Sequence, residues 1–155
     1  MPETTARLQA RYALILRRWA MARIPTGALD AATVDELVQG VLLKGFEQAD
    51  GFESRREGAS LTSLRHALFD RIHEQFASRP QPGQLEQAVG SELLRAYEAA
   101  LRSLAPDQQV GIILRLEMCF PYPEIAEALG NSSQDETRML VGDAILRLSE
   151  LLDAR

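Results

Sequence analysis

Apolar residues recur every three or four positions almost from end to end of this chain, and no stretch shows the strict alternation of a half-buried strand. That single pattern restricts the fold to packed helices. Leu8, Tyr12, Ile15 and Trp19 form one stripe of a first helix over roughly 4–23. Pro25 and Gly27 stop it. Thr33 followed by Glu36 predicts a capping box, opening a second helix that turns Leu37, Val41 and Leu42 inward. A charged loop, ESRREGAS, leads to a third helix over roughly 60–77 with Leu61, Leu64, Leu68 and Ile72 as its buried ridge.

The segment SRPQPGQ carries two prolines and a glycine, and its composition predicts a linker. It is short, so the flanking parts are closely tethered. Beyond it, Leu93, Leu94, Tyr97 and Leu101 mark a fourth helix starting near Gln84. Pro106 suits a first helical position and opens a fifth helix through Phe120. Pro123 opens a short sixth helix that ends at Gly130. Ser133 with Glu136 predicts a second capping box and a seventh helix to about Asp153. The expected architecture is all-α, two small helical bundles over 1–79 and 91–155 joined by 80–90.

The last two helices and their tight turn have the outline of a helix-turn-helix. Ala126 is the small residue at the crossing, Gly130 the turn glycine, and Ile125, Leu129, Val141 and Ile145 the apolar lock. Helical hairpins of other bundles share this pattern. The charge is unusual for a surface that meets a polyanion: Asp135, Glu136 and Asp143 accompany Arg138 and Arg147. Across the chain, residues 1–24 hold five arginines and one acid, residues 25–54 one lysine and six acids, and residues 55–79 five arginines and three acids. The net charge is −5, and the basic segments all lie in the first half.

Other chemistry finds little support. His66 and His73 are two helical turns apart, which is not the i, i+3 or i+4 spacing of a metal pair, so no metal and no cofactor is expected. There is no phosphate loop, HExxH or nucleophile elbow, so an enzyme is not expected. The lone Cys119, flanked by Met118 and Phe120, is expected to be a small buried hydrophobe in a reducing cytoplasm. No apolar run reaches the length of a membrane span, and charges interrupt the apolar residues near the N-terminus, so neither membrane insertion nor secretion is expected.

The stretch LAPDQQVGIILRLEMCFPYPEIAEALG, followed by SSQDETRM and AILRLSELL, resembles region four of the extracytoplasmic-function sigma factors of bacterial RNA polymerase. The first half resembles the same family independently. TVDELVQGVLLKGFEQADGFE is similar to region two, and GASLTSLRHALFDRIHEQFASR to its promoter-melting helix. Both matches occur in the family's order, with a linker between them.

The resemblance implies a dissociable specificity subunit that directs promoter recognition and transcription initiation. Region two would grip the clamp helices of the core polymerase through Asp35, Glu36, Leu37, Val38 and Gln39. It would hold melted minus-ten DNA near Phe52, Arg55, Arg56, Arg65, His66, Phe69 and Arg71. Region four would sit on the β flap and face the minus-thirty-five groove with Ser132, Ser133, Gln134, Thr137 and Arg138. Leu37 and Val38 can equally be core residues, and Ser133 can serve as a helix cap.

Gly40 stands where the family commonly carries an acid, and Gly142-Asp143 replaces a small or basic residue followed by arginine. The basic run that commonly ends region two is thin. Each lost phosphate contact weakens DNA binding through counterion release. A second reading therefore stands beside the first: a sigma-like binding module that engages an anti-sigma or other regulatory protein without initiating transcription.

Overall fold

The computed structural model describes residues 5–48, 57–76, 82–130 and 133–154. Every regular element among them is helical, so the chain is all-α. The α-helices are α1 (Thr5–Met21), α2 (Ala31–Gln48), α3 (Glu57–Phe76), α4 (Gln84–Val89), α5 (Ser91–Ser103), α6 (Pro106–Ile112), α7 (Tyr122–Leu129) and α8 (Gln134–Asp153). Contacts divide the chain into two compact units, Met1–Gly51 with Ser63–Ala88, and Phe52–Thr62 with Val89–Arg155.

In the first unit α1 packs along α2. Tyr12, Leu16, Trp19 and Ala20 of α1 are buried together with Val34, Leu37, Val38, Val41 and Leu42 of α2 and Leu64, Leu68, Ile72 and Phe76 of α3. The start of α2 departs from the expected capping box at Thr33. The helix begins earlier, at Ala31, and the Asp30 carboxylate accepts a hydrogen bond from the Thr33 amide at 2.7 Å. Thr33 is thus the donor to the cap rather than the cap, because its position is already the third of the helix.

Residues 78–81 of the expected SRPQPGQ linker lie outside the described part, but its far end is fixed to the first unit. The Leu85 amide donates to the Ala22 carbonyl at 3.0 Å and the Thr26 amide to the Pro82 carbonyl at 3.4 Å. Gly83 comes so close to the 23–24 backbone that a Cβ would lie 2.9 Å from the Arg23 carbonyl. The glycine serves this close approach. The single fourth helix expected from Gln84 is two helices, broken at Gly90, whose φ of 89° an L-residue rarely adopts.

The second unit closes around Ala100, Leu101, Leu104, Ile112, Ile113, Ala144 and Leu148. Helix α8 packs on α5, α6 and α7. The fifth helix does not continue to Phe120. After Ile112 it widens into a π-helical turn, Ile113–Glu117, with the Met118 amide donating to the Ile113 carbonyl at 2.9 Å. Cys119 follows with a φ of 59°, and is exposed rather than buried, because this turn carries it away from the α6 core face. Gly130 closes α7 in the left-handed region, φ 73°, as a C-terminal stop should.

Candidate functional site

Helix α2 presents two kinds of side chain where the sequence placed one surface. Asp35, Glu36 and Gln39 are exposed, within about one turn of each other. Leu37 and Val38 are core residues with 3% and 2% of their surface exposed, so the polar patch stands without them. Arg17 of α1 reaches Asp35 at 3.3 Å, a solvent-exposed pair of small energetic weight. Thr33, Glu36, Leu37, Arg71 and Gln75 line a shallow cleft between α2 and α3. Arg71, expected among the strand-binding residues, therefore shares its surroundings with the α2 patch. Its guanidinium lies 3.7 Å from where a Cβ on Gly40 would stand.

The α3 residues expected to meet melted DNA divide by depth. Phe52, Arg55 and Arg56 lie outside the described residues. Arg65 is fully buried on the core side of α3, with its guanidinium 5.0 Å from the Trp19 ring centroid and 5.6 Å from that of Phe69. Its Nη1 sits 3.1 Å from His66 Nδ1, so a donating arginine leaves that imidazole nitrogen as acceptor. Arg23 covers the Trp19 ring as well, 4.0 Å from its centroid, and donates to the Trp19 carbonyl at 3.2 Å. Arg65 is thus part of an arginine–aromatic cluster that holds α3 to α1. Phe69 and His66 are half-buried, and the Phe69 ring stacks with His73 at 6.1 Å.

In the second unit Ser132 lies outside the described residues. Ser133 caps α8, its hydroxyl accepting from the Glu136 amide at 3.3 Å. Thr137 is wholly buried and its hydroxyl donates back to the Ser133 carbonyl at 3.0 Å, so it secures the turn from the inside. Gln134 and Arg138 are exposed. Arg138 lies over the ring of Tyr122, 5.3 Å from its centroid, and Arg115 lies over the same ring at 4.2 Å. Arg115 also donates to the Phe120 carbonyl at 3.2 Å. Neither Tyr122 nor Arg115 stood out in the sequence. The signal was an aromatic residue opening α7, but its two arginines come from elements that only folding brings together.

No family model and no curated protein matches the chain. One similar solved structure is the sigma factor RpoE in complex with the anti-sigma factor NepR from Bartonella quintana. It is 24% identical, covers 96% of each chain and has a TM-score of 0.47. At that identity and superposition score the likeness assigns this chain neither family nor function.

The outward face of α8 completes the picture. Val141, Ala144 and Leu148 are buried, whereas Met139 and Leu146 are 68% and 64% exposed among Asp135, Asp143 and Glu150. Ile145, expected to lock the two helices, is 38% exposed, whereas Ala144 and Leu148 are buried with residues of α5 and the α6 region. Arg147 pairs with Glu150 at 3.3 Å on the surface. No described helix is long and apolar enough to cross a membrane.

Proposed function

We propose that this chain is a sigma-type subunit of bacterial RNA polymerase that directs promoter recognition and transcription initiation. The observation that carries the reading is the α7–Gly130–α8 arrangement. Thr137 and Val141 are buried behind it, and Gln134 and Arg138 stand exposed at the N-terminal end of α8, the end that enters a major groove in helix-turn-helix readers. The exposed α2 patch of Asp35, Glu36 and Gln39 is the matching candidate for the clamp helices. Leu37, Val38, Arg65 and Thr137 leave the proposed contact set because they are buried. Ser133, Gln134 and Arg138 remain for the minus-thirty-five groove, and His66, Phe69 and Arg71 for strand DNA.

The acids of α8 make DNA reading dependent on a partner that supplies most of the grip, and core polymerase is such a partner. In vitro transcription with core polymerase on a genomic fragment library tests the proposal. Discrete start sites that require this protein are expected. They should weaken with Arg138→Ala, and core binding should weaken with Glu36→Lys combined with Gln39→Ala in a folded protein.

A second reading is favoured by the exposed Met139 and Leu146 among acids on α8. It makes the chain a sigma-like binding module for an anti-sigma or other regulatory protein. Core-polymerase binding without any dependent transcript, unchanged by Arg138→Ala, is its expected result.

A further inference from the structure

Two exposed helix faces in this chain carry the same frame with opposite charge. On α1, Arg11, Leu14, Arg18 and Met21 fall at i, i+3, i+7 and i+10; on α8, Glu136, Met139, Asp143 and Leu146 do the same. All eight are exposed. At about 100° per residue both quartets lie opposite the buried stripes of their own helices, Tyr12, Leu16, Trp19 and Ala20 on α1 and Thr137, Val141, Ala144 and Leu148 on α8. The apolar members are unusually open for their size: Leu14 64%, Met21 47%, Met139 68% and Leu146 64%. Helix α1 holds four arginines and no acid, and α8 five acids against two arginines.

We infer that the outward face of α1 in one copy docks on the outward face of α8 in a second copy of this chain. Each face alone is an apolar pair two turns apart beside charges chiefly of one sign, with Arg147 the opposite charge on the α8 flank, a poor surface to leave in water and a mismatch for itself. Each is complementary to the other in both respects. An antiparallel arrangement that sets Leu14 against Leu146 and Met21 against Met139 brings Arg18 level with Asp143, while Glu150 stays paired with Arg147 of its own helix. In antiparallel pairs the flanks on the same side of the two seams meet, so Arg18 and Asp143 face each other. One such seam is short and buries little area, so the association is weak and electrostatically tuned. It covers the outward face of α8, including Asp143, and a dimer therefore withholds that face from any other ligand. The inference stands apart from the proposed function: it requires neither polymerase nor DNA.

Sedimentation velocity of the full chain over a concentration series, at low and high salt, tests it. The expected result is a monomer–dimer equilibrium whose dimer fraction falls as salt rises. Arg18→Glu and Asp143→Arg should each weaken dimerisation by about three- to tenfold, since each converts the Arg18–Asp143 attraction into a repulsion. The two substitutions on one chain restore the pairing with reversed sign and should bring dimerisation back toward the original. Leu14→Ser should weaken it without altering its salt dependence. All these positions are exposed, and unchanged helical circular dichroism confirms that each variant is folded. A chain that stays monomeric at all concentrations overturns the inference. So does a dimer indifferent to both charge reversals, or one that the doubly reversed chain fails to recover. Transcription assays play no part in this readout, so its failure and that of the sigma reading are separable.

Discussion

The guanidinium of Arg65 lies 5.0 Å from the centre of the Trp19 ring, and the residue has no exposed surface. A cation is retained there by the faces of the Trp19 and Phe69 rings and by its contact with His66. Arg65→Ala should lower stability by about 2–4 kcal/mol, through lost packing and the cavity it leaves. Arg65→Met, which fills similar space without charge, should cost less. Arg65→Lys should not substitute for the planar group. Urea unfolding followed by circular dichroism reads all three. Wild-type midpoints throughout would return Arg65 to the surface.

Gly40 lies inside α2 with room for a side chain: among the described residues, a Cβ there would meet only the Arg71 guanidinium, at an ordinary 3.7 Å. Gly40→Ala should therefore stabilise the protein by about 0.5–1 kcal/mol, from helix propensity alone. Gly40→Asp adds an acid beside Arg71 and extends the polar row of Asp35, Glu36 and Gln39. Tighter core-polymerase binding by that variant is the expected outcome, measured by competition against the parent protein.

Gly111 is the opposite case. A Cβ there would stand 3.0 Å from Leu140 Cδ2 and 3.2 Å from Val141 Cγ2, where α6 crosses α8. Leu140 can yield, but Val141 is branched and fully buried. Gly111→Ala should destabilise the chain by about 1–3 kcal/mol despite the better helix former. A thermal melt that does not fall would show that the α6–α8 packing is looser than these distances.

The Asp30 carboxylate accepts from the Thr33 backbone and side chain, which hold its pKa below the ordinary aspartate value. A lowered folded-state pKa means the cap stabilises the fold fully above the unfolded value, near pH 4. That contribution is lost as pH falls through the folded value. Asp30→Ala should lower the melting temperature at neutral pH. The gap between variant and parent should close as the pH is taken below about 4. Asp30→Asn, which retains an acceptor, should lose less. A gap that is constant with pH would mean the carboxylate is not the cap.

Local grammar accounts for what the sequence determined by itself. Helical spacing gave the all-α class and the buried ridge of α3, while Pro106 and Gly130 marked a helix start and a helix stop. Each of these depends on residues a few positions apart, whose steric and hydrogen-bonding preferences act before any tertiary contact forms. The sign of the α8 surface was likewise present in Asp135, Glu136 and Asp143. Tertiary structure decided the rest. Periodicity places Arg65 on α3, but only the approach of Trp19 from α1 turns it into a core residue. Thr137 looks like a polar groove contact until the packing of α8 on α5, α6 and α7 buries it. The break at Gly90 and the exposure of Cys119 depend on backbone turns that apolar spacing does not encode. Gly83 and Gly111 are similar letters with a demanding neighbour, and Gly40 is one with none. That difference is set by how closely another segment approaches, which is a property of packing rather than of the residue.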